Sequence, residues 1–124
     1  MKKKIESNKV QAAIGPYSHA VECDNMIFVS GQLPTDPETG LMPEGIEAQT
    51  RQSLDNMRSI LMDAGYDMND VVKTTVLLQN MDDFSAMNEV YASYFTEIAP
   101  ARICYQVVAL PKGALVEIDA IAVH

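Results

Sequence analysis

The chain has no tryptophan, two cysteines, two histidines, and nine lysines and arginines against seventeen acids, for a formal charge of −8. Each shortage excludes something. Neutralising a phosphate backbone takes clustered Lys and Arg, so the acidic balance counts against nucleic-acid binding. The one basic run, Lys2-Lys3-Lys4, reads as a solvated terminus or a lysine-protected edge strand. Cys23 and Cys104 are too few for a disulfide framework and stand in no CxxC or Cys/His arrangement, so both are expected as free thiols and no metal site is expected. His124 is the last residue, which leaves His19 with little company for a histidine-based metal or proton-transfer site. No apolar run approaches the roughly 20 residues that span a bilayer, and the N-terminus lacks the apolar centre of a signal peptide. A cytoplasmic protein with no membrane partner is the expectation.

At 124 residues, 48% of them apolar, the chain is one domain over 1–124 and can bury a real core. Aromatics at 6% make that core aliphatic and methionine-rich. There is no repeat, low-complexity tract or linker. Strand patterns run from Lys3 to Glu6, His19 to Cys23 and Met26 to Ser30, with Asp24-Asn25 as hairpin turn. Ile46, Thr50, Leu54, Met57, Leu61 and Ala64 recur at helical steps, and Gly65 follows where a left-handed cap is expected. Val71 to Leu78 reads as a buried strand. Asp82 or Asp83 is the expected cap of a second helix striped with Phe84, Met87, Tyr91 and Tyr94 and ended by Pro100. Strands 102–109 and 115–123 close the order βββαβαββ.

That order predicts an α+β fold, a single mixed sheet with two helices packed on one face. The other face then has no cover, although Val72, Thr74, Val76 and Leu78 on one side of the 71–78 strand and Val71, Thr75 and Leu77 on the other are both largely apolar. An uncovered apolar face wants a partner subunit, and an oligomer is expected.

The residues that carry chemistry lie near the C-terminus. Arg102 sits in an otherwise apolar strand, and a guanidinium is among the costliest groups to bury unpaired. Its anion is either an internal acid such as Glu117 or Asp119, or a substrate carboxylate gripped by the two-pronged guanidinium. Cys104, on the same strand face, is a candidate nucleophile whose pKa the arginine could lower, but no histidine base accompanies it.

Pro100-Ala101-Arg102-Ile103-Cys104, Leu110-Pro111-Lys112 and Glu117-Ile118-Asp119-Ala120-Ile121-Ala122 closely resemble the C-terminal signature of the Rid family, the YjgF-like (L-PSP) enamine/imine deaminases. Ala13-Ile14-Gly15-Pro16-Tyr17-Ser18, Val29-Ser30-Gly31-Gln32-Leu33-Pro34, Gln49 to Asn56 and Val72-Lys73-Thr74-Thr75-Val76 match further blocks of it, in order. The RidA branch is the most similar. The resemblance implies a chorismate-mutase-like fold, a homotrimer whose sheets line a central barrel, and active sites in clefts between subunits. It implies hydrolysis of 2-aminoacrylate-type enamines and imines, 2-iminopropanoate and 2-iminobutanoate, to 2-oxo acids and ammonia, without a cofactor.

By the same resemblance Arg102 holds the carboxylate, the Cys104 backbone helps hold substrate or water, and Glu117 orients or activates the water. Tyr17, Ser30, Gly31 and Asn88 line the pocket. Each has a plainer alternative: an interface ring for Tyr17, a strand end for Ser30-Gly31, a solvated helix residue for Asn88 and a solvated strand residue for Glu117. His19 reads as structural. The chain departs from the family in a shorter 96–100 stretch without the usual aromatic, and in Gln106 where many relatives carry glutamate. A carboxylate-binding or chaperone module without turnover, and a translation-inhibiting ribonuclease, are the competing readings, the second opposed by the −8 charge. If strands 102–109 and 115–123 paired as a simple hairpin, Arg102 and Glu117 would stand about 16 Å apart. One site then requires another strand between them or a subunit boundary.

Overall fold

The computed structural model describes residues 1–124. The elements run β1 (Lys2–Ile5), β2 (Ala20–Cys23), β3 (Met26–Gln32), α1 (Ile46–Asp63), β4 (Val71–Leu78), α2 (Phe84–Tyr94), β5 (Ala101–Gln106) and β6 (Val116–Val123). The strands form one mixed sheet in the order β1-β2-β3-β6-β4-β5. Asp24 turns the β2–β3 hairpin at φ 56°, a left-handed conformation that a short polar side chain tolerates. The lysine-rich β1 is an edge strand, as such a run favours.

β6 is antiparallel to β3 and β4, and β4 is parallel to β5. The β3, β4 and β5 strands therefore all point one way, with α1 and α2 as the two crossovers between them. Both step in the same direction across the sheet, so the common right hand of such crossovers places both helices on one face. There Leu54, Met57 and Leu61 of α1 and Met87 of α2 pack with Ile27, Val76 and Ile118 of the sheet. Gly65, at φ 87°, closes α1, and the Tyr66 N–H returns to the Leu61 carbonyl at 2.9 Å.

Four local expectations are corrected. The α2 entrance is capped by Asn80, whose side chain accepts from the Asp82 N–H at 2.9 Å, while Asp83 makes no side-chain cap. An extra tight turn over Met81–Asp83 moves the capping residue upstream. α2 ends at Tyr94, well before Pro100, where Phe95 leaves helical geometry (φ −125°, ψ 79°) and packs its ring on Tyr91 with centroids 4.7 Å apart. β5 stops at Gln106 rather than Ala109, because β4 ends at Leu78 and offers no further partner beyond the Val107 N–H bond to the Leu78 carbonyl. Within β4, a register shift between Val71 and Lys73 reverses the alternation. Val71, 3% exposed, thus joins Thr74, Val76 and Leu78 on the core side, and Val72 is left 47% exposed.

The helix-free face carries Phe28, Ile103 and Tyr105, each exposed by two fifths or more. No helix is long and apolar enough to cross a membrane.

Candidate active site

One group of candidate residues gathers beside the distal end of β3. The β3–β6 register shifts between Val29 and Gln32, so Ser30 and Gly31 form a bulge that re-aims the strand. Gly31 lies directly against Glu117: a Cβ there would push the carboxylate out of place. The Ser30 hydroxyl donates to the Ser18 carbonyl at 2.6 Å and its N–H donates to the His19 carbonyl at 2.9 Å, which fastens the Tyr17-bearing loop to the bulge. Tyr17, Ser30, Gly31 and Glu117, with Ile14 and Lys112, line a cleft of about 610 Å³.

Glu117 and Asp119 share a strand face, and the structure separates their roles. Asp119 accepts from the Thr75 N–H at 2.8 Å and is engaged inside the sheet. Glu117 is half-buried and faces the cleft. Burial pushes its carboxyl above the usual range, and the Asp119 charge adds to the rise.

The second group lies on β5, the other edge of the sheet. Arg102 has no carboxylate partner: the ion pairs of the chain are Lys4–Glu6, Lys9–Asp63 and Arg58–Asp55. This removes the internal pairing with Glu117 or Asp119. Its Nη1 donates instead to Asn88 Oδ1 at 2.8 Å, and its guanidinium stacks over the rings of Tyr91 (4.8 Å) and Phe84 (5.5 Å). Tyr91 is fixed by a 2.7 Å hydrogen bond between its hydroxyl and that of Thr74. Asn88 is thus an inward polar contact that orients the guanidinium.

Cys104 shares this face, but burial raises its thiol pKa and the Arg102 charge opposes that without prevailing. The net shift is upward, because partial withdrawal of the thiol from water outweighs the arginine's lowering. Its backbone fits the expected part better. The Val107 N–H points to β4, and main-chain groups alternate direction along a strand, so those of Arg102 and Cys104 point outward along the free edge. Gln106, further along this strand, accepts from the Met81 N–H at 2.9 Å and so braces the entrance to α2.

The two groups do not meet within one protomer. β4 separates their strands: Arg102 stands opposite Thr74 and Thr74 opposite Ala120, three residues along β6 from Glu117. That is about 14 Å between backbones, counting two strand spacings and three residues. Moreover, Arg102 projects on the helix side with Thr74, whereas Glu117 projects on the other. The interposed strand is therefore insufficient to unite them.

Sequence reasoning missed the aromatic shelf. Phe84, Asn88 and Tyr91 fall at i, i+4 and i+7 on one helix face, which is the available signal that they serve a common neighbour. It also missed Asn56, which lines the cleft and donates to the carbonyls of Leu33 (3.2 Å) and Thr35 (2.9 Å), holding the segment after Gly31. His19 is buried, with both ring nitrogens hydrogen-bonded to neighbouring backbone. No three His, Cys, Asp or Glu side chains converge as a metal-holding group.

Known proteins resemble the chain in both sequence and fold. The family described as Endoribonuclease L-PSP matches residues 7–124. The mouse protein named 2-iminobutanoate/2-iminopropanoate deaminase is 52% identical over all of this chain and 93% of its own length. The Escherichia coli K12 protein of the same name is 47% identical over all of this chain and 99% of its own. Among solved structures, the YjgF gene product of E. coli superposes with a TM-score of 0.96 at 45% identity, covering 98% of each chain. E. coli TdcF with bound serine gives 0.94 at 41% identity, again over 98% of each. With a match over nearly its whole length and the motif blocks in place, the chain belongs to the L-PSP family, the Rid family of YjgF-like proteins.

Proposed function

We propose that this protein is an enamine/imine deaminase that hydrolyses small 2-imino acids, 2-iminopropanoate and 2-iminobutanoate among them, to 2-oxo acids and ammonia. The observation that carries this reading is Arg102: a half-buried cation seated on two rings and an amide, with no acid of its own. Such a group is ready for an anion from outside, and a substrate carboxylate meets its fork in two parallel hydrogen bonds. The relatives named as 2-iminobutanoate/2-iminopropanoate deaminases support the reaction. The serine bound to TdcF is an α-amino acid, consistent with a carboxylate ligand in this fold.

Arg102 and Asn88 come from one subunit, and Tyr17, Ser30, Gly31 and Glu117 from its neighbour. This arrangement reconciles their opposite faces, and the exposed Phe28, Ile103 and Tyr105 supply apolar surface for the contact. The family's homotrimer with a central barrel is the assembly that fits. The enamine first tautomerises to the imine. Glu117 then takes a proton from water as its oxygen adds to C2 and passes that proton to nitrogen, so a C–O bond forms and the C=N bond becomes C–NH2. Glu117 then moves the hydroxyl proton to the nitrogen, the carbonyl re-forms as the C–N bond breaks, and ammonia leaves while the oxygen from water stays in the 2-oxo acid. The outward main-chain groups of Cys104 hold substrate or water. No step draws on a cofactor.

A second anion beside a bound carboxylate serves no purpose in a pure binder, which favours the enzyme over the binding-module reading. Ribonuclease action is disfavoured by the −8 charge. The test is a coupled assay in which a serine or threonine dehydratase generates the imine and its decay is followed. Faster decay with this protein is expected, and an unchanged rate contradicts the reading.

A further inference from the structure

Residues 6–14 form neither helix nor strand, yet Val10, Gln11, Ala12 and Ile14 among them wall the cleft that holds Tyr17 and Glu117. A second cleft, of about 630 Å³, shares Val10, Ala12 and His19 with it as lining. The segment therefore borders both clefts and acts as a partition between them. Both hydrogen bonds that tie its main chain to the rest of the fold end on one side chain. His19 Nδ1 accepts from the Ser7 N–H at 3.0 Å, and His19 Nε2 donates to the Gln11 carbonyl at 2.9 Å. An imidazole can do both only as the neutral Nε2–H tautomer. Ser7 and Lys9 side chains add bonds to Asp63 at the end of α1, and Gln11 adds one to the Pro37 carbonyl at 2.8 Å.

We infer that His19 is a positioning residue of the active site, one that touches no substrate but holds the 7–11 partition in place and thereby sets the width of the substrate cleft. The inference rests on the deaminase reading. Arg102 and Glu117 stand on other elements, so loosening the partition leaves the reacting groups where they are. It removes enclosure that favours substrate and transition state alike, which is the signature of a KM effect.

The test compares His19→Ala, His19→Asn and His19→Gln. Asn retains an acceptor for the Ser7 N–H, and Gln a donor toward the Gln11 carbonyl. Substrate is supplied by the coupled dehydratase, and amide hydrogen exchange is measured on the same variants. For His19→Ala we expect KM to rise about three- to tenfold, the loss of one or two ordinary hydrogen bonds, with kcat within about twofold. Exchange should quicken over residues 6–12 while β6 stays protected, and Asn or Gln should recover part of both effects. Faster exchange over 6–12 with an unchanged KM overturns the inference, as does loss of protection throughout the sheet with KM and kcat damaged together. If His19→Ala does not fold, wild-type KM and exchange in both isosteres overturn it equally. Wild-type turnover in Arg102→Ala instead strikes the deaminase reading itself, so the two failures are distinguishable.

Discussion

Arg102 illustrates how much a single residue discloses. The expectation that it takes an anion comes from the sequence, because a guanidinium in an apolar strand is costly unless paired. Whether the anion is internal was open until the fold showed an amide and two rings around it and no acid. Arg102→Lys keeps the charge but loses the fork, and steady-state kinetics should show a ten- to hundredfold fall in kcat/KM, about 1.5–3 kcal/mol for a charge-assisted contact. Cys104→Ser should keep much of the activity in the same assay, since the thiol is not activated. Glu117 was distinguishable from Asp119 only by resemblance, because strand periodicity gives both the same face; the Thr75 N–H to Asp119 bond separates them. Glu117→Gln should lose turnover while still binding a 2-oxo acid, measured by calorimetry. Its carboxyl is raised above the ordinary 4.5, so wild-type activity should fall as pH drops through that raised value. The same shift has a stability sign. A carboxyl whose folded pKa exceeds its unfolded one adds stability that is fully present below the unfolded pKa and lost as pH rises through the folded pKa. Glu117→Gln should therefore melt above the wild type at neutral pH, and the difference should close below the ordinary value.

At the scale of elements, the sequence located every strand and helix but not their ends. Periodicity marks the middle of an element, whereas ends depend on partners: β5 stops where β4 stops, and α2 stops where Phe95 finds Tyr91. The two irregularities were invisible for the same reason. The bulges at Val71–Lys73 and at Ser30–Gly31 lie in the pairing with β6, a strand distant in sequence. The second one matters for chemistry, because it lets the β3 backbone approach Glu117. Gly31→Ala should fold, shown by an unchanged far-ultraviolet dichroism spectrum, but displace the carboxylate and cut kcat/KM by at least tenfold, a misplacement of the reacting geometry.

On the scale of the whole molecule, topology decides what the site can be. That one sheet face carries no helix was legible in the order of elements, whereas the homotrimer proposed to cover it came from resemblance. That β4 lies between β5 and β6, and that Arg102 and Glu117 project from opposite faces, follows from long-range strand order that no local pattern encodes. Light scattering should give about 41 kDa, three times the 13.6 kDa chain. The central claim, that each site joins Arg102 of one subunit to Glu117 of the next, is tested most directly by complementation. Arg102→Ala and Glu117→Gln are each expected to be inactive alone. Co-expressed in equal amounts and allowed to assemble at random, they should regain about one quarter of wild-type activity, the share of sites that receive an intact residue from each side. If both residues served a site within one subunit, no mixed assembly would contain a complete site, and activity would stay at the level of the separate variants.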